Sequence, residues 1–270
     1  MKVAVIQIRG DQGLDGNLAA CGRWLGEAAA AGARLAVLPE NFAYYGCRDL
    51  PAAGVAEATP EGPARRFLGA EARRHGLWLL GGTLPIAAAD DPRPFAASLL
   101  VSPEGEEVAR YDKIHLFDVD VVETGRQYRE SADYRPGGRV VVADTPLGRL
   151  GLSVCYDLRF PELYRQLAAQ GAEIIVAPSA FTYTTGTAHW HILVRARAVE
   201  NLATVIAPNQ AGHHASGRRT YGHSLICGPW GQVQAEARSE ANEVVIADID
   251  RTRAAQLREG FPCLTHRRLA

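Results

Sequence analysis

Arg149-Leu-Gly-Leu-Ser-Val-Cys155-Tyr-Asp-Leu-Arg159-Phe-Pro-Glu162 is a short apolar run that stops at a thiol and gives way to a helical stretch. Gly151–Val154 reads as a buried strand and Pro161–Gln170 as the helix behind it, ended by Gly171. A side chain at such a corner points out from the sheet edge, beside helix N–H groups that favour a thiolate. A buried, inert cysteine is the ordinary alternative at a strand end.

The same alternation continues in both directions. Strands are expected at Val3–Ile8, Leu35–Leu38, Leu77–Leu80, Ser98–Val101, Val108–Tyr111, Glu173–Pro178, Thr204–Ala207, Tyr221–Cys227 and Val244–Ile249. Helices are expected at Asn17–Ala31, Pro63–His75, Ala188–Asn201 and Arg251–Glu259. Gly32 and Gly76 close the first two, and Pro63 opens the second. Pro229-Trp-Gly231 marks a turn between the last two strands. No break in composition interrupts the pattern, so a single α/β domain over residues 1–270 is expected. The polar stretches Phe117–Arg139 and Gly212–Thr220 are long for connections and read as loops covering a site.

Composition excludes several classes. The chain has 270 residues, 47% of them hydrophobic, enough for a full core. Lys and Arg number 29 against 30 Asp and Glu, a net charge of −1, which argues against nucleic acid or an anionic membrane as partner. No apolar run reaches the roughly 18 residues of a membrane span. The start, Met1-Lys-Val-Ala-Val-Ile-Gln-Ile8, enters a strand pattern rather than a signal peptide. Five scattered cysteines without a CxxC suggest a reduced, cytoplasmic protein.

Sheets of this kind gather their sites at the carboxyl ends of strands. Glu40 and Cys155 each follow a strand, and Lys113 follows Val108–Tyr111. Amide hydrolysis needs a nucleophile, a proton carrier and a positive group for the oxyanion. Cys155, Glu40 and Lys113 supply these types, with the backbone N–H of Tyr156 as a second oxyanion donor. Glu130 is a second carboxylate, able to position the lysine and the substrate nitrogen. Ordinary uses compete with each role: Lys113 beside Asp112 as an exposed ion pair, Glu130 with Arg126 or Arg129, Arg159 with Glu162. His213, His214 and His223 lack metal-ligand spacing and a matching carboxylate, so no metal is expected. Trp190, Arg195 and Arg197 read as a packing and pairing face of a helix.

Three segments carry a resemblance. Leu38-Pro-Glu40-Asn-Phe42, Tyr111-Asp-Lys113-Ile-His-Leu-Phe117 and Gly151-Leu-Ser-Val-Cys155-Tyr-Asp-Leu-Arg-Phe-Pro-Glu-Leu163 resemble the signatures of the nitrilase, or carbon–nitrogen hydrolase, superfamily, in its order and spacing. The resemblance runs from Lys2 to about Arg268. It implies a four-layer α-β-β-α sandwich and a catalytic triad of Glu40, Lys113 and Cys155, with Glu130 as a second glutamate. It also implies no cofactor, a small-molecule amide substrate and a homodimer. The end, Phe261-Pro-Cys-Leu-Thr-His-Arg-Arg268, resembles a segment that crosses to a partner subunit, within 260–270.

Asp157-Leu-Arg159-Phe-Pro-Glu162 and Ser179-Ala-Phe-Thr-Tyr-Thr-Thr-Gly186-Thr-Ala-His-Trp190 look like the Nit branch, whose members cleave amides of 2-oxo dicarboxylic acids. Arg159 suits a substrate carboxylate and Thr184 and Thr185 the 2-oxo acid end, with Phe160, Ser179 and Phe181 as further substrate-binding residues. Asn209–Ser224 is similar to branch members acting on deaminated glutathione, whose extra carboxylate suits Arg218 and Arg219. Lys113-Ile-His-Leu-Phe-Asp-Val-Asp120 is closer to the ω-amidase members, which act on 2-oxoglutaramate and 2-oxosuccinamate. The possible second carboxylate clamp favours deaminated glutathione. A non-catalytic binding protein on the same fold is the rival from another class, and a nitrilase acting on nitriles is a third reading.

Overall fold

The computed structural model describes residues 1–10, 13–238 and 240–268. Its strands in the first half are β1 (Lys2–Gln7), β2 (Leu35–Val37), β3 (Trp78–Ile86), β4 (Phe95–Val101), β5 (Glu107–Asp112), β6 (Asp118–Val121) and β7 (Arg126–Arg129). The second half adds β8 (Val142–Thr145), β9 (Gly148–Leu152), β10 (Ile174–Val176), β11 (Thr204–Ala207) and β12 (Ala211–His213). It ends with β13 (Arg219–Tyr221), β14 (Leu225–Cys227), β15 (Val233–Glu236) and β16 (Glu243–Asp248). The helices are α1 (Gly13–Ala30), α2 (Leu50–Ala56), α3 (Pro63–His75), α4 (Pro161–Ala169), α5 (Tyr183–Asn201) and α6 (Arg251–Gly260).

Two six-stranded sheets, ordered β16-β1-β2-β3-β4-β5 and β15-β14-β11-β10-β9-β8, form the middle of the molecule. In each, a parallel trio (β1-β2-β3, β9-β10-β11) is flanked by antiparallel strands. The parallel strands are buried on both faces, as their unbroken runs of Val, Ile, Leu and Ala require. Alternate residues then serve different layers. Ala4, Ile6, Ala36 and Leu38 face Cys21, Leu25 and Leu68 of α1 and α3. Val3, Val5, Leu35 and Val37 share a core with Leu150, Leu152, Ile174 and Val176 of the other sheet. Tyr164 of α4 and Trp190 and Val194 of α5 cover the far side. The order helix, sheet, sheet, helix is the four-layer sandwich.

Gly32 and Gly76 take left-handed conformations, at φ 83° and 62°, and end α1 and α3 as expected. Differences from the expected elements lie around the site. The stretch Phe117–Arg139 holds the ribbon β6–β7, and the stretch Gly212–Thr220 lies largely within the hairpin β12–β13. The continuous strand expected over Tyr221–Cys227 is broken, because Gly222 and His223 are left-handed, at φ 69° and 53°. The turn at Pro229–Gly231 leads into β15, whereas β16 joins the other sheet. Helix α5 begins at Tyr183, five residues early, because Thr182 caps it by accepting from the Thr185 N–H.

Candidate active site

The sheet ends bring four segments to one edge. Strand β5 is reversed twice relative to β3 and so points the same way as β2. Glu40 therefore emerges beside Lys113, and Cys155 arrives from the end of β9. Gly82 is required where β3 passes beneath the Glu40 turn: a Cβ there would stand 1.8 Å from the Pro39 carbonyl oxygen. Gly137 plays the same part behind Lys113, with the Asp112 carbonyl oxygen 2.0 Å from where its Cβ would be. Cys155 sits at φ 49°, a strained left-handed residue that opens a 3-10 turn over Cys155–Arg159.

Lys113 is 1% exposed and its ammonium is fully committed. Nζ donates to Glu40 Oε1 at 2.8 Å and to both oxygens of Glu130, at 2.7 and 2.8 Å. Glu130 also accepts the Phe117 N–H at 2.6 Å. It is thus a partner of Lys113, and Arg129 instead pairs with Asp120. Burial pulls the Lys113 pKa down, but the charges of Glu130 and Glu40 overcome it and hold the ammonium well above the ordinary lysine value. Burial raises Glu130, and Lys113 opposes that rise.

The Cys155 thiol is raised well above the ordinary value by burial first and by the negative charge of Glu40 second. Lys113 and a hydrogen bond from the Ala180 N–H act against the rise. The resting site is therefore a neutral thiol beside a carboxylate that can take its proton.

A cavity of about 450 Å³ opens over this group. Glu40, Lys113, Glu130, Cys155, Tyr156, Arg159, Phe181, Thr185, Arg218 and Arg219 all line it. Arg159 does not pair with Glu162. Its guanidinium lies over the rings of Tyr156 and Phe181, at 5.8 and 5.6 Å, and reaches His189 Nδ1 at 3.3 Å. Arg218 lies over Tyr128, and its charge acts on Tyr45. Arg219 pairs with Glu240 at 2.5 Å and stacks 3.5 Å over Tyr183.

Three of the expected binding residues stand away from the cavity. Phe160 stacks face to face on His115, with ring centres 3.7 Å apart. Ser179 is fully buried, and its hydroxyl donates to the Ala177 carbonyl. Thr184 lies on the first turn of α5 outside the cavity lining, while Thr185 reaches it. Trp190 and Arg197 are packing residues: Trp190 donates to the His223 carbonyl at 2.7 Å and Arg197 to that of Leu158.

Sequence reading missed Asp157, which ties the site together. Its carboxylate is completely buried and accepts from the Tyr111 hydroxyl (2.7 Å), the Val154 N–H (2.8 Å) and the His115 N–H (3.1 Å). His115 Nδ1 lies 2.6 Å away. One side chain thereby joins the Lys113 segment to the Cys155 turn. The Ala180 N–H, Tyr45, Tyr128 and Tyr134 were also missed.

A buried thiol, a lysine and two carboxylates at a sheet edge can form and hydrolyse an acyl-thioester. Residues 2–259 match the carbon-nitrogen hydrolase family. The chain belongs to that family. A Yersinia enterocolitica protein named deaminated glutathione amidase is 43% identical over 239 residues, 88% of this chain and 83% of that protein. The Homo sapiens omega-amidase is 35% identical over 99% of this chain and 95% of its own. Among solved structures, Saccharomyces cerevisiae Nit3, a member of branch 10 of the nitrilase superfamily, superposes with a TM-score of 0.88 at 31% identity. It is matched over 100% of this chain and 97% of its own. This carbon–nitrogen hydrolase is thus similar to proteins named as amidases and to a branch 10 structure.

Proposed function

We propose that this amidase cleaves deaminated glutathione, releasing 2-oxoglutarate and cysteinylglycine. The observation carrying the substrate choice is the pair of guanidinium groups, Arg159 and Arg218, on the lining of one cavity. A 2-oxo acid carboxylate suits Arg159, whose guanidinium lies over two rings on the cavity wall and would exchange its long contacts to His189 Nδ1 for the substrate. The carboxylate of the glycine suits Arg218, since Arg219 is occupied by Glu240.

Glu40 takes the Cys155 proton as sulfur attacks the amide carbon, which avoids charging the buried thiol in advance. The oxyanion gathers charge stabilisation from Lys113 and the Tyr156 N–H. All three lysine donors already meet carboxylate oxygens, so Lys113 acts through its charge or by yielding one of its two Glu130 contacts. Collapse breaks the C–N bond, and Glu40 returns the proton to the leaving amine. Water, deprotonated by Glu40, then attacks the thioester, and the thiol leaves with a proton as 2-oxoglutarate departs.

A second reading, ω-amidase, is supported by the human relative of that name. Paired turnover on deaminated glutathione and on 2-oxoglutaramate, with Cys155→Ala as control, tests the choice. A large kcat/KM preference for deaminated glutathione is expected, and the reverse preference would overturn it.

Five free cysteines support a reducing compartment, the cytoplasm. Among the described residues no helix is long and apolar enough to cross a membrane. Exposed Ile192 and Val199 on α5, with Trp230 edge-on to Phe261, support pairing with a second copy through this face. Light scattering giving one chain mass would remove the dimer. The proposed crossing segment extends past Arg268 to Leu269 and Ala270, which lie outside the described residues.

A further inference from the structure

We propose that His191, His223 and Glu236 form a binding site for a divalent transition metal, suited to zinc, away from the catalytic cavity. His191 belongs to α5, His223 to the link between β13 and β14, and Glu236 ends β15. His191 Nε2 and His223 Nδ1 both approach the same carboxylate oxygen, Glu236 Oε1, at 2.8 and 2.7 Å. All three ligand atoms lie within 4.8 Å of one another. None of the three residues lines the cavity over Cys155.

The donor set matches the ion. Two imidazoles and one carboxylate with an open fourth position are a zinc arrangement, at bond lengths of about 2.0–2.2 Å. Ligand atoms on such an ion stand roughly 3.3 Å apart, so the two Glu236 contacts lengthen by about half an ångström and the two imidazole nitrogens, now within 4.8 Å, settle to the same spacing. In the metal-bound form each imidazole carries its proton on the outer ring nitrogen, and the carboxylate offsets half of the metal charge. The side chains are 34%, 26% and 32% exposed, which leaves a path in and room for water as the fourth ligand.

The geometry is held before any ion arrives. Tyr221 stacks on the His223 ring at 4.4 Å and meets the His191 ring edge-on at 6.0 Å. His223 is held at φ 53°, a left-handed conformation that disfavours a histidine, and Trp190 donates to its carbonyl. An ion here would tie α5, which carries Thr185 into the cavity, to β15 at the sheet edge.

Tag-free, chelator-stripped protein is titrated with zinc chloride by calorimetry, in a Cys155→Ser background so that the nucleophile does not compete. One ion per chain is expected, with affinity at least about tenfold weaker in His191→Gln and in Glu236→Gln. Zinc should raise the melting temperature of the parent and not of either variant. The metal-free melting temperatures of the variants show that they remain folded. Absence of binding, or binding unchanged in both variants, would overturn the site and leave two imidazoles hydrogen-bonded to one carboxylate.

Discussion

The Asp157 carboxylate meets the Tyr111 hydroxyl at 2.7 Å, both side chains completely buried, across the boundary between the two sheets. Tyr111 is the penultimate residue of β5, two positions before Lys113, and Asp157 lies two residues after Cys155. Their bond therefore sets the spacing between ammonium and sulfur. Tyr111→Phe removes it without leaving a void. The expected result is a loss of about 1–3 kcal/mol in urea unfolding, with kcat falling and KM nearly unchanged. Lost stability with unaltered kcat would reduce the pair to a structural contact.

Glu40, the proposed proton acceptor, is also one of the groups that raise the Cys155 thiol. Burial is the larger cause of the raised thiol pKa, and the Glu40 charge adds to it. Glu40→Gln removes that charge, so the pKa falls and the thiolate fraction at neutral pH rises. Iodoacetamide should then alkylate Cys155 faster than in the parent protein. Amide turnover should instead drop by about 10²–10⁴-fold, the usual worth of a general base. Parallel losses in both assays would refute this division of labour.

The residues at strand ends were legible because β2 and β9 are short, apolar and abruptly terminated, so that Glu40 and Cys155 stand out. Lys113 was legible through its segment rather than through its charge. Asp157 was not, since an acid just past a strand also reads as a helix N-terminal charge, and periodicity carries no record of a partner 46 positions away. The Ala180 N–H has no side chain to announce it. Ribbons β6–β7 and β12–β13 read as loops in the sequence because their strands are only three or four residues long, too short for an alternating pattern to show. The four-layer order followed from the family resemblance, while the residues alone reached only an α/β class.

The Arg159 guanidinium lies over the rings of Tyr156 and Phe181. Arg159→Lys keeps the charge and loses both the fork and the stacking. A rise in KM of about tenfold or more is expected for every 2-oxo acid amide, with a smaller change in kcat. An unaltered KM would remove this residue from substrate binding.

Arg218 and Arg219 are neighbours with different obligations. Arg219 is held by Glu240 and lies flat on Tyr183, so Arg219→Ala loosens hairpin β12–β13 and should slow both substrates alike. Arg218 sits over Tyr128 beside Tyr45, two rings on the cavity lining, and is the residue proposed to meet the glycine carboxylate. Arg218→Ala should lower kcat/KM for deaminated glutathione by about tenfold or more, the worth of a charge-assisted hydrogen bond. Turnover of 2-oxoglutaramate, which has no carboxylate at that end, should hardly change. Equal losses on the two amides would make Arg218 a structural residue and shift the balance toward the ω-amidase reading.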